Sequence, residues 1–176
     1  MDRPWFAFVP NLLSLTRLGM AAAFAWDDRP VVRTWLILSA ALTDFLDGWL
    51  ARRANLASRW GALLDPVADR MFVFTAVCAF LFEGRIDTLG YAQLILRDLM
   101  TAIGFLVARA VPWLRPIPFR ARLSGKVVTT LQLAALVAVL MQPHLAPTLI
   151  RLVGVTSVWA VIDYTLMLWR ERAREP

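Results

Sequence analysis

Four aspartates, Asp44, Asp47, Asp65 and Asp69, fall in the stretch TDFLDGWLARRANLASRWGALLDPVADR, residues 43–70, between two long apolar runs. On a helix turning about 100° per residue, Asp47, Gly48, Ala51 and Arg52 lie roughly −60°, +40°, −20° and +80° from Asp44. Two carboxylates, the two smallest side chains and one arginine thus share a face that something bulky can approach closely. Gly61, Asp65 and Asp69 recur at four-residue spacing on the next segment, which makes a second stripe of a glycine followed by two carboxylates. If these two helices pack antiparallel across the short joint, the four carboxylates converge on one pocket. Left alone, such a cluster repels itself and some members stay protonated. A pair of divalent cations removes the difficulty. Hard oxygen ligands suit Mg2+ or Mn2+, and two metals about 4 Å apart clamp phosphoryl groups. Pairing with Arg52, Arg53, Arg59 and Arg70 at a membrane surface would explain any one of these aspartates. It does not explain two single-face stripes interleaved with glycine and alanine, since carboxylates within a membrane default to function.

The elements that must position these residues are long and apolar. The 176 residues suit a single domain spanning 1–176. With 59% hydrophobic and 18% charged residues, 8 Trp and a mean hydropathy of +0.59, the chain fits a bilayer better than a soluble core. Apolar segments of spanning length can be drawn at 11–26, 31–51, 61–82, 89–111, 123–141 and 147–169. The joints DDRP, RRANLASR, EGRID, PWLRPIPFRAR and QPHLAP carry the charge, proline and glycine at which helices stop. The expected fold is therefore an all-α integral membrane protein of six transmembrane helices. Trp5, Phe6 and Phe8 suit a short interfacial helix at its start.

Six spans place both termini on the side of the second and fourth joints. That side would carry Arg3, Arg52, Arg53, Arg59, Arg109, Arg115, Arg120, Arg122, Lys126, Arg170, Arg172 and Arg174, against Arg29, Arg33, Arg85 and Arg151 opposite. The positive-inside rule puts the termini and the aspartates at the cytoplasmic face of an inner membrane. The formal charge of +6 then reflects loops facing anionic lipid rather than nucleic acid. The N-terminus reads as no removable signal peptide, and the lone Cys78 as a packing residue.

The spacing from Asp44 to Asp69 resembles the signature of the CDP-alcohol phosphatidyltransferase family, DxxDGxxARx8GxxxDxxxD. Asp44, Asp47, Gly48, Ala51, Arg52, Gly61, Asp65 and Asp69 meet every fixed position. The likeness implies a six-helix membrane fold, a homodimer, and displacement of CMP from a CDP-linked lipid such as CDP-diacylglycerol by an alcohol hydroxyl. By the same likeness Asp44, Asp47, Asp65 and Asp69 hold two divalent metals, and Asp69 is the general base that takes the acceptor's proton. Gly48, Ala51 and Gly61 leave room for the nucleotide and Arg52 meets a phosphate, while Asn11, Ser14 and Ser58 complete the nucleotide-lipid site as it is built in that family. Polar residues at helix entrances are also common caps, which is the competing role for those last three.

On the acceptor side, Arg97 and Lys126 lie inside apolar segments where charge is costly, and both suit the phosphate of a small phosphorylated polyol. PNLLSLTR, RWGALLDPVADR and GKVVTTLQ together are similar to the branch of the family that uses glycerol 3-phosphate. Arg97-Asp98, where that branch commonly has Arg-Glu, is closer to the cardiolipin synthases, which use phosphatidylglycerol. An inositol phosphate acceptor is a third alternative. Asp163 is read as structural, with Arg97 or Arg70 as partners, and His144 as remote from the chemistry. Trp26, Trp35, Trp113 and Trp169 are read as interface anchors. A small ion or metal transporter would need polar groups reaching across the bilayer. Here they gather at one face, and a purely structural membrane subunit leaves the carboxylate stripes unexplained.

Overall fold

The computed structural model describes residues 8–54, 61–110 and 123–172, with side chains described for 15–46, 70–103, 125–163, 165 and 166. The described residues form six helices and no strand. These are α1 (Phe8–Trp26), α2 (Pro30–Ala54), α3 (Gly61–Phe82), α4 (Thr88–Ala110), α5 (Leu123–Met141) and α6 (Ala146–Arg172). The interfacial start expected at Trp5 and Phe6, and Trp113 in the fourth joint, lie outside the described residues.

The breaks come where backbone chemistry demands them. Pro30 opens α2, a position where its missing N–H costs nothing. After α3 the chain closes a Schellman turn: Gly84, at φ 68°, and Arg85 donate their N–H groups to Leu81 O and Phe80 O. Asp87 then caps α4 by accepting the Gly90 N–H at 2.8 Å.

The chain divides into two compact units, Met1–Arg85 and Ile86–Pro176. In the first, α1 packs against α3 and α2. Phe24 of α1 meets Phe72 and Phe80 of α3 edge-to-face, with ring centroids 5.8 and 5.6 Å apart. Arg33, only 2% exposed, fastens the end of this unit. Its Nε donates to Phe24 O at 3.0 Å and to Asp27 O at 2.6 Å, and its Nη1 donates to Glu83 Oε2 at 2.8 Å. Its guanidinium carbon also lies 4.8 Å from the Phe24 ring centre. The end of α1, the start of α2 and the end of α3 therefore meet at one point, so α1 and α3, which pack together, run parallel, and α2 starts from the end at which they finish. Glu83 also accepts from Arg85 Nε at 2.7 Å. Burial alone would raise the Glu83 carboxyl, but the hydrogen bonds from Arg33 and Arg85 outweigh it and hold the group below its ordinary value.

In the second unit α6 packs against both α4 and α5. Leu94, Val128, Ala135, Leu136, Val153 and Ala160 are fully buried there. The Gln93 side chain lies over Gly154 so closely that a β-carbon on Gly154 would sit 2.9 Å from Gln93 Cγ.

Among the described residues one helix, over Ala146–Asp163, is long and apolar enough to cross a membrane. Arg70–Phe82 in α3 and Gly125–Met141 in α5 are shorter apolar helical stretches. The six expected segments are thus six helices. In α2, α3 and α4 the apolar run is interrupted by Asp44 and Asp47, by Asp65, Asp69 and Arg70, and by Arg97 and Asp98.

Candidate active site

All eight signature positions lie on helical backbone in the first unit. Asp44, Asp47, Gly48, Ala51 and Arg52 occupy the last three turns of α2, and Gly61, Asp65 and Asp69 the first three turns of α3. The residues that join them, 55–60, are outside the description, and Ser58 with them. Because α2 begins and α3 ends at the Arg33 fastening, the last turns of α2 and the first turns of α3 both lie away from it. Asn11 and Ser14, in the first turns of α1, lie away from it too.

Of the four aspartates, Asp44 is the one with a described side chain, and it is exposed. The side chains of Asp47, Asp65, Asp69, Arg52, Asn11 and Ser14 lie outside the description, so these positions are placed by helix register alone. That register preserves the face drawn from the sequence: a helix over Pro30–Ala54 keeps Asp44, Asp47, Gly48 and Ala51 on one side. Carboxylate oxygens on such faces form the donor set that suits a hard divalent cation.

Arg97 in the second unit is held in a polar network within otherwise apolar helices. Its Nη1 donates to Asp98 Oδ1 at 3.3 Å and to Thr129 Oγ1 of α5 at 3.0 Å. Gln132, 2% exposed, donates from Nε2 to Asp98 Oδ2 at 2.9 Å and to Leu94 O at 2.8 Å. Arg97 Nε is buried and has no hydrogen-bond acceptor among the described residues. A donor in that state is suited to an anion that the chain does not itself supply. Lys126 is exposed on α5, one turn before Thr129 and Thr130. Arg97 thus pairs with its neighbour Asp98, whereas Asp163, expected as a partner of Arg97 or Arg70, is half-buried on α6.

Reading the sequence passed over one residue of the first unit, Arg17. It is 2% exposed in the middle of α1. The available signal was a single charge in the run LLSLTRLGMAAAFAW, residues 12–26.

The chain belongs to the CDP-alcohol phosphatidyltransferase family, whose model matches residues 7–169. It is accordingly an enzyme, a transferase of phospholipid biosynthesis. It is 32% identical over 179 aligned residues to the CDP-diacylglycerol--glycerol-3-phosphate 3-phosphatidyltransferase of Salmonella choleraesuis, covering 89% of this chain and 92% of that one. The Escherichia coli (strain K12) protein of the same name is 31% identical over the same shares of the two chains. A protein of that name from Aquifex aeolicus is 39% identical over 108 residues, 57% of this chain and 61% of its own.

Proposed function

We propose that the chain transfers the phosphatidyl group of CDP-diacylglycerol to glycerol 3-phosphate, releasing CMP and forming phosphatidylglycerophosphate. The observation that carries this reading is the complete signature, set on the last turns of α2 and the first turns of α3, in a chain aligned over nearly its whole length with glycerol-3-phosphate phosphatidyltransferases.

Asp44, Asp47, Asp65 and Asp69 would hold two divalent cations, Mg2+ or Mn2+, as their hard oxygen donors and shared end of the unit suit. Bound there, the metals neutralise charge building on the diphosphate. Asp69 takes the proton of the acceptor hydroxyl, whose oxygen bonds to the lipid-side phosphorus. The bond from that phosphorus to the bridging oxygen breaks, and CMP leaves with the bond's electron pair. Gly48 and Ala51 keep the α2 backbone open to the nucleotide, Gly61 does the same on α3, and Arg52 binds a phosphate oxygen. Asn11, Ser14 and Ser58 complete the nucleotide-lipid site. Arg97, with its unfilled Nε–H, and Lys126 bind the acceptor's phosphate.

The enzyme works embedded in the inner membrane, as a homodimer, with both termini and the aspartates at the cytoplasmic face. Two exposed apolar stripes support the lipid setting: Trp35, Leu38, Leu42 and Phe45 on α2, and Val155, Trp159, Ile162 and Leu166 on α6. Trp26 and Phe82, 93% and 87% exposed at the Arg33 end, suit the opposite interface.

The test is CMP release by purified protein with Mg2+ or Mn2+, CDP-diacylglycerol and each of glycerol 3-phosphate, phosphatidylglycerol, inositol phosphate and serine. Glycerol 3-phosphate is expected to support turnover best. Faster CMP release with phosphatidylglycerol would reassign the acceptor, and none with any alcohol would refute the reaction.

A further inference from the structure

Arg17 lies in α1 between neighbours that are exposed, Leu15, Thr16, Leu18 and Gly19, yet it is itself 2% exposed. Among the described residues of α1 the buried positions are Arg17, Ala21 and Phe24, spaced four and three apart, which is the stripe turned toward α3. On α3 the stripe containing the two ring partners of Phe24, Phe72 and Phe80, passes through the fully buried Ala76. Extended backward at spacings of three and four it runs through Asp69 and Asp65.

The axial register follows from the Arg33 fastening, which makes α1 and α3 parallel. Phe24 touches both Phe72 and Phe80 and so stands level with Ala76. Seven residues back along each helix, about 10 Å, brings Arg17 level with Asp69 on facing stripes. Helical side chains lean toward the N-terminus, so the guanidinium covers the turn between Asp69 and Asp65.

We propose that Arg17 is a positioning residue for the aspartates of α3, holding them in the orientation that binds metal. This rests on the metal reading above. Its logic is charge and shape. Four carboxylates, two divalent cations and a diphosphate sum to a net negative site, which Arg17 and Arg52 bring to neutrality where burial makes imbalance costly. A planar guanidinium grips a carboxylate through two parallel bonds and fixes its plane, which a lysine ammonium does not do.

The experiment measures Mn2+ binding to the full chain in detergent, without substrate, by the EPR signal of free Mn2+, alongside kcat and KM for CDP-diacylglycerol. Arg17→Gln is expected to weaken Mn2+ binding about 10–100-fold, the usual cost of removing a group that orients a ligand. It should lower kcat more than it raises KM, and Arg17→Lys should restore only part of either loss. Phe24→Leu is the packing control, because it loosens the same α1–α3 seam. A Mn2+ affinity in Arg17→Gln that is unchanged, tighter, or reduced only as far as in Phe24→Leu at equal loss of thermal stability overturns the proposal. Should Arg17→Gln not fold, Arg17→Lys decides: full Mn2+ affinity in that variant overturns it and a several-fold loss supports it. Asp44→Asn separates the two levels of inference. If it too binds Mn2+ normally, the metal site itself is wrong and Arg17's role falls with it. If it loses Mn2+ and Arg17→Gln does not, only the role of Arg17 fails.

Discussion

The two ends of the α1–α3 unit use charge in opposite ways. At the Arg33 end carboxylates and arginines pair closely. Asp27 pairs with Arg29, and Glu83 with Arg85 and with the buried Arg33. Arg33 also satisfies the backbone carbonyls of Phe24 and Asp27. This is charge used to tie three helix ends together. At the other end the aspartates are set four residues apart on α3 and three apart on α2, with glycine and alanine between them, and Asp44 is exposed. Charge spaced in that way does little for a fold and suits a ligand. Substitutions at the first end should therefore cost stability, and those at the second should cost turnover.

The largest effect is expected at the aspartate end. Asp69→Asn should lower CMP release about 10²–10⁴-fold, the range for losing a positioned general base, with the thermal unfolding midpoint in detergent unchanged. An active Asp69→Asn would break the contrast. Next, Arg33→Met should destabilise the protein by about 2 kcal/mol, because it leaves two carbonyls without their donor and removes one of the two arginines that Glu83 accepts from. The folded fraction should keep its turnover, which thermal unfolding and CMP release on the same sample would separate. Arg97→Met should raise KM for glycerol 3-phosphate about 10–100-fold, the value of one charge-assisted contact, and leave KM for CDP-diacylglycerol alone. An equal rise in both would make Arg97 purely structural.

Smaller effects sharpen the first end. The Glu83 carboxyl lies below its ordinary 4.5, so its pairing stabilises fully above that pH and is lost as pH falls through the lower folded value. Asp27, drawn down to about 2 chiefly by the Arg29 side chain, follows the same sign in the more acid window below 3.8. Glu83→Gln should cost about 1 kcal/mol at neutral pH and flatten the acid limb of a melting-temperature profile. Arg29→Ala, at an exposed pair, should change the neutral-pH melting temperature least of all.

Much of this was legible in the sequence because helices announce their ends and faces locally. All six segments appear as helices, the first, third and fifth joints fall where proline, glycine and charge interrupt apolar runs, and the signature positions land on helical backbone as their spacing requires. Arg33 and Arg17 were not legible in the same way. Each is one arginine in an apolar stretch, and its role depends on which helix packs beside it. Arg33 is explained by the meeting of three helix ends across 50 residues of chain to Glu83, and Arg17 by the parallel register of α1 and α3. The network of Arg97, Asp98, Thr129 and Gln132 lies between: its residues were visible as polar intruders, but their pairing across α4 and α5 needed coordinates.

The most direct measurement is CMP release from CDP-diacylglycerol and glycerol 3-phosphate before and after the purified enzyme is stripped with a chelator. Release should fall to background on stripping and return when Mg2+ or Mn2+ is restored to the unmodified chain, but not to Asp44→Asn. Undiminished release from the stripped enzyme would contradict the claim that these aspartates act through bound metal.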